Sequence, residues 1–521
     1  MSSERLSSAR FALIAVALLA AGCTLKTLEK RLVGPDQAAT LDRRSPFLKA
    51  HLRSGHVYVL SNWSWSDSTG RVVGDAILYD AARSRVDSGH YQLPRDSVAL
   101  FETNVAKPSR AARALTVMAG VTAVIAAACA TNPKACFGSC PTFYATDSSG
   151  HAVLQAEAFS ASIAPALEAT DLDALYRAAP TNRRFTLRVT NEALETHVIR
   201  YADLLLAPRP PNGRVFATTS HQFRQATDFA APSSCTAEGG DCRGAIARFD
   251  ERERFSVADR RDLGAREVVD LVFDRVPTGD IGLVISARQS LMTTYLIYQA
   301  LAYMGNDAAR WLAAMRANRD TSAQAEAILA RLLGTIEVSV LDENGRWILA
   351  GSTGETGPIA ADTKVVPLPT VRTKELRVRL GLTKGLWRLD WIALAALGST
   401  VVPERIAPTS VSRDGVPDSV ALKALAGGKS GQREPLTTLP GDALELAYDL
   451  PANPERYEVF LESRGYYLEW MRREWIEEQN ARAARQLLLD PAAMLRALAP
   501  AYKRQEGTME NAFWNSRYVR P

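Results

Sequence analysis

The sequence predicts an α+β protein in which β predominates. Expected are multidomain β-sandwich-like domains, an apolar helix at residues 114–131, a central helical segment and C-terminal helices. Three observations lead there. Short runs of β-branched and aromatic residues, broken by Ser, Asp and Gly, recur over most of the chain. Helical periodicity is confined to a few stretches. The length of 521 residues suits roughly two to four domains. An apolar fraction of 47% and a charged fraction of 23% exclude global disorder and a collagen-like fibre. Lys and Arg number 62 against 57 Asp and Glu, a net charge of +5 spread along the chain, so nothing points to nucleic acid as a partner.

Residues 1–22 read as a lipoprotein signal peptide. Arg5 and Arg10 supply the basic start, and Phe11 to Ala20 form an apolar stretch too short to span a bilayer. Leu19-Ala20-Ala21-Gly22-Cys23 resembles a bacterial lipobox, with Ala20 where Leu is more usual. That resemblance implies acylation of the Cys23 thiol by diacylglycerol, cleavage before it, and a further acyl chain such as palmitate on the new N-terminus. The alternative is an ordinary signal peptide with a chance Cys. Thr24, in place of an Asp, points to the outer membrane, with the protein facing the periplasm or the cell surface. Residues 23–45 read as a polar, lipid-anchored tether.

Residues 46–110 form a β-rich N-terminal domain, with HVYVLSNWSW, VVGDAILYD and SVALFETNV as strands. Trp63 and Trp65 share a face by alternation, as sheet packing or as an aromatic platform for a ligand. Residues 111–134 hold the uncharged stretch 114–131, read as a buried or membrane-apposed helix, with a true span as the alternative. A β-rich middle domain follows at 135–288. Its Cys140-Pro141-Thr142-Phe143-Tyr144 strand, polar turn and second strand with Ala156, Glu157 and Phe159 resemble a CPTFY or CPFVY-type segment of uncharacterised bacterial envelope lipoproteins. No function comes with that resemblance.

Residues 289–334 read as helical, led by Ser290 to Met304 and ended by Gly305. Two further helices are expected, from about Asp307 to Asn318 and from Ser322 to Leu333. From 335 to 467 the period returns to two, and the strand pattern resembles a galactose-binding-like β-sandwich. Trp387 and Trp391 fall on one face of a regular strand, as core or as a sugar-stacking pair. Residues 468–521 read as a C-terminal helical region.

Six cysteines are present, and export permits disulfides. Cys235 and Cys242 bracket a Gly-rich turn and read as a bridged pair. Cys136 and Cys140 are a second candidate pair. A metal site there lacks a second ligand pair, so no metal is expected. No phosphate loop, nucleophile elbow or His-Glu-x-x-His motif occurs. No catalytic residue and no cofactor is assigned. Glu157 and Asp390 are the carboxylates considered, each read first as a satisfied structural acid. The expected function is a lipid-anchored envelope protein acting as a binding or scaffold module. Its partners are the membrane, through the N-terminal lipid, and an envelope protein or glycan. The alternatives are a glycan-active hydrolase with a carboxylate pair assembled from distant strands, and an inner-membrane protein spanning at 114–131.

Overall fold

A computed structural model describes residues 26–108, 140–308, 334–469 and 478–515, apart from short gaps at 53–55, 67, 80–84, 147–151, 179, 181, 194, 355–356, 371–373 and 427–434. The expected features at Cys23, Cys136, 114–131 and 309–333 lie outside the described residues.

The first six strands are β1 (Lys26–Val33), β2 (Phe47–Leu52), β3 (Val57–Ser66), β4 (Arg71–Tyr79), β5 (Arg85–Pro94) and β6 (Val98–Pro108). They make one antiparallel sheet in the order β1-β6-β2-β3-β4-β5. Leu48, Ala50, Leu60, Trp65, Val72 and Phe101 form its core. Residues 26–33, expected within a polar tether, are strand β1, followed by a 3-10 turn at Pro35–Thr40. An edge strand pairs through its backbone on one side only, so charged positions such as Lys30 and Arg31 are tolerated and hide the strand from a pattern search. β5 escaped recognition for the same reason, since Arg85, Asp87 and His90 sit in it.

The chain then forms β7 (Thr142–Thr146), β8 (Ala152–Glu157), β9 (Ala169–Ala174), β10 (Arg184–Thr190) and β11 (Glu195–Pro208). A second series follows: β12 (Arg214–Ala217), β13 (Phe223–Ala230), β14 (Ser234–Ala237), β15 (Gly240–Asp241), β16 (Arg254–Phe255), β17 (Arg266–Phe273), β18 (Ile281–Gln289), β19 (Ile336–Leu341), β20 (Trp347–Thr353), β21 (Asp362–Pro367), β22 (Leu376–Thr383) and β23 (Trp387–Val401). The last series is β24 (Glu404–Ile406), β25 (Ser410–Arg413), β26 (Val416–Pro417), β27 (Leu436–Thr438), β28 (Ala443–Asp449) and β29 (Tyr457–Glu469). The expected hairpin at 142–157 is β7 paired with β8.

Four sheets arise from these strands. β26-β25-β28-β10-β7-β8 faces β24-β11-β29-β9, and Tyr448 of the first donates a hydrogen bond to the Ala202 carbonyl of the second at 2.9 Å. β13-β12-β21-β18-β23-β16 and β15-β14-β17-β22-β19-β20 make the second pair. Every strand of the second pair lies between β11 and β24 in sequence, so the second sandwich is inserted into the first. Its two ends meet, because β24 pairs beside β11 at Leu206 and Glu404. Residues 335–467, expected as one sandwich, therefore distribute their strands over four sheets. β11 finds its long partner only in β29, from Glu195 with Glu469 to Pro208 with Tyr457.

Both sandwiches share one core, which includes Leu187, Leu204 and Leu461 of the first and Leu283, Leu380 and Ile392 of the second. Helix α1 (Met292–Met304), the expected apolar helix, buries Tyr295, Leu296 and Leu301 and is closed by Gly305. α2 (Ser419–Leu425) is capped by the Asp418 carboxylate on the Ala421 N–H. α3 (Ala481–Leu489) and α4 (Pro491–Asn515) follow. The expected helical start at Leu468 is instead the end of β29, with Leu468 paired to Thr196. α4 packs on α1, the rings of Tyr502 and Tyr295 lying 5.3 Å apart.

Candidate functional site

The densest chemistry lies where the two sandwiches meet. Glu157 ends β8 and is 1% exposed. Its Oε2 accepts the N–H of Ile359, from the loop before β21, at 2.7 Å. Burial pushes the Glu157 carboxyl up to about 8, with the charges of Glu195 and Asp171 adding to the rise. The Ile359 N–H and the Cys140 thiol pull the other way. Gly357 makes this approach possible. Its φ is +78°, and a Cβ there would stand 2.6 Å from Glu157 Oε2.

Beside Glu157 is a small cleft lined by Cys140, Ser160, Gln289, Tyr298, Pro358 and Tyr467, among others, with about 20 Å³ of room. That holds one water molecule and no sugar ring. Tyr467 donates to the Ser160 carbonyl at 2.8 Å, and Tyr298 donates to Glu469.

A second buried group lies on β9 and β21. Asp171 accepts the N–H groups of Phe159 and Leu172, each at 2.8 Å. Asp362 accepts the Ala174 N–H at 3.2 Å and pairs with Lys364 at 2.7 Å. The Lys364 ammonium also donates to the Leu172 carbonyl, so this cation ties β21 to β9. Burial opposes charge on Lys364, yet Asp362, Asp171 and Asp173 together hold its pKa above the usual lysine value. Burial also pushes Asp173 well above the ordinary carboxylate range, and Asp171 and Asp362 push it further. Sequence reasoning missed this group because its halves are nearly two hundred residues apart. The available signal was local: acids at 171 and 173, and a charged pair at 362 and 364, each spaced to share one strand face.

Near this junction Glu458, 1% exposed, accepts Arg209 at 2.7 Å and Arg214 at 2.9 Å. The Arg214 guanidinium lies over the Tyr176 ring at 4.2 Å, and Tyr176 meets Phe216 and Phe460 edge-on. Arg209 and Arg214 flank the point where the chain enters the inserted sandwich.

The remaining sequence-selected residues lie elsewhere. Trp65 is buried on Phe101, with ring centres 6.3 Å apart. Trp63 is half-buried and donates to the Ser45 carbonyl at 3.0 Å. Both tryptophans pack on the N-terminal core. Trp387 and Trp391 do not share a face. The register of β23 against β18 slips between Ser286 and Ala287, leaving Asp390 as a bulge residue. Trp387 therefore points into the shared core, whereas Trp391 joins Phe216, Phe229 and Phe249 on the other face. Asp390 accepts the N–H groups of Asp250 and Glu251, and burial raises its carboxyl to about 6 against those bonds. The Cys235–Cys242 disulfide is present, with Cα atoms 5.1 Å apart. Cys140 is buried, and Cys136, its expected partner, lies outside the described residues. Among the described residues no cluster of His, Cys, Asp and Glu has the geometry of a metal site, and no helix is long and apolar enough to cross a membrane.

No protein-family model matches the chain, and no curated protein matches it. Among solved structures, the GH31 alpha-xylosidase from Xanthomonas citri aligns at 8% identity with a TM-score of 0.14, covering 85% of this chain. The chain spans 38% of the length of that enzyme. The structure of infectious bursal disease virus Gt strain aligns at 8% identity with a TM-score of 0.12, covering 94% of each chain. Likenesses this slight carry neither a fold nor a function.

Proposed function

We propose that this chain is a bacterial envelope lipoprotein, anchored through acyl groups on Cys23, whose two fused sandwiches act as a binding or scaffold module. The observation that carries the scaffold reading is the use made of the buried acids. Glu157, Asp171 and Asp362 each accept backbone N–H groups, and Glu157 and Asp362 do so across the junction between the sandwiches. The cleft beside Glu157 has room for about one water molecule. These carboxylates brace one sandwich against the other. The anchor rests on the lipobox-like run at Cys23 and on the Cys235–Cys242 disulfide, which suits an oxidising compartment.

Mass analysis of the N-terminal peptide from the membrane-purified protein tests the anchor, with diacylglyceryl and acyl groups on Cys23 expected. An unmodified Cys23 refutes it. Crosslinking in intact envelopes, followed by purification, tests the module reading, with a stoichiometric envelope protein or glycan expected. Release of reducing sugar from isolated envelope glycans by the pure protein, abolished by Glu157→Gln, would overturn it in favour of a hydrolase.

A further inference from the structure

Among the described strands that end a sheet, β20 and the two-residue β26 are those without a charged residue. β1, β5, β8, β9 and β24 all carry charge, which blunts an open edge against pairing. β20 also shows large apolar side chains to solvent. Ile348 is 45% exposed and Leu349 64% exposed, on opposite faces of the strand. Trp347 shares the outer face with Leu349. The Arg379 guanidinium, held by Asp270 at 2.7 Å, lies 4.1 Å from the centre of its ring and fixes it in place.

The register decides which backbone groups are open. The Asp342 N–H donates to the Arg346 carbonyl at 2.8 Å, so by antiparallel alternation the next bonded pair is Val340 with Ile348. The N–H and C=O groups of Trp347 and Leu349 therefore point away from β19, to a side on which no described strand pairs. These two residues flank Ile348 symmetrically. An antiparallel copy of β20, turned about a two-fold axis at Ile348, sets Trp347 opposite the copy's Leu349, and Leu349 opposite the copy's Trp347. Each such pair exchanges two backbone hydrogen bonds. Trp meets Leu on the outer face, Ile348 meets its own copy on the inner face, and no like charges are opposed. Centring on Trp347 would set Arg346 against Ile348, and centring on Leu349 would run the ladder across the bulge at Ala350. We infer that β20 pairs edge to edge with β20 of a second copy of this chain, joining the outer sheets of two molecules about the axis at Ile348. The interface is small, so the pairing is reversible and concentration-dependent. This goes beyond the module reading and does not require the anchor.

The test introduces Ile348→Cys into the full chain in its native membranes. On the two-fold axis the facing Cα atoms of a non-bonded pair stand about 4.5 Å apart, within disulfide reach. Mild oxidation with copper phenanthroline is expected to give a disulfide-linked dimer on non-reducing gels, roughly tenfold above that from the parent or from Val268→Cys, a site 44% exposed on the outer face of the same sheet. Equal dimer from Ile348→Cys and Val268→Cys overturns the pairing. Capture of a different protein by Ile348→Cys in place of the dimer overturns the second copy as occupant, in favour of a partner's strand. Leu349→Lys changes an exposed side chain and leaves the core intact, and it sets a charge against the copy's Trp347. Added to Ile348→Cys, it is expected to cut the dimer roughly tenfold. An unchanged yield overturns the register. Sedimentation of the detergent-solubilised chain reads the same pairing without a new cysteine. The parent's mass should climb toward the dimer as concentration rises, and Leu349→Lys should remain monomeric. A parent that stays monomeric at every concentration overturns the inference.

Discussion

Replacing Glu157 by Gln gives the sharpest check on how the junction is held. The Glu157 carboxyl rises from 4.5 to about 8, chiefly because burial penalises its charged form. A carboxyl raised on folding contributes stability that is fully present below the unfolded value and is lost as pH climbs through the folded one. Each pH unit across that window removes about 1.4 kcal/mol, and the whole span removes about 5 kcal/mol. Glu157→Gln keeps an oxygen to accept the Ile359 N–H and removes the titration. Its extra amide donor imposes an offset of about 1–3 kcal/mol if unpaired, but that offset does not vary with pH. Urea unfolding of both proteins, followed by tryptophan fluorescence from about pH 5 to about pH 9, reads the difference. The variant should gain on the parent by about 1.4 kcal/mol per unit up to about pH 8, then level off. A difference that stays constant over the range refutes the reading of Glu157 as a buried, proton-bearing brace.

Three further outcomes follow from the same geometry. Lys364→Met leaves Asp171, Asp173 and Asp362 without their shared cation and should cost about 3–5 kcal/mol at neutral pH, less in acid where the carboxyls are protonated, as measured by denaturant unfolding. Gly357→Ala places a Cβ 2.6 Å from Glu157 Oε2 at a φ of +78°, and a loss of about 1–3 kcal/mol with a fall in melting temperature is expected. The double variant Cys235→Ser, Cys242→Ser frees a loop of sequence separation 7 and should lose about 2.5 kcal/mol, read by unfolding the parent and the variant side by side without reductant.

The predominance of β structure was legible because alternation is a local signal, and so were the 142–157 hairpin, the α1 helix with its glycine stop and the Cys235–Cys242 loop. Which strand lies beside which was not. The resemblance of 335–467 to a single sandwich reflects a strand count, yet β19 and β28 have equally ordinary patterns and pair in different sheets. Nothing within either strand encodes its partner, because pairing is decided by cross-strand packing over long separations. Trp387 and Trp391 show how one residue defeats alternation, since the bulge at Asp390 reverses the faces after it. Glu157 was visible as an acid among small and apolar neighbours. Its role was not, because the Ile359 N–H that it accepts comes from another sandwich.

The insertion also sets an order of events during synthesis. Arg209, just past the end of β11, precedes its partner Glu458 on β29 by 249 residues. At typical elongation rates the ribosome needs on the order of 10–50 s to cover that distance. Throughout that interval β11, a fourteen-residue strand buried along most of its length in the folded protein, has no β29 to cover its edge. A chain of this design depends on being kept unpaired until its C-terminal third arrives, so its yield in a cell should respond to holding chaperones more than to the speed of any single sheet.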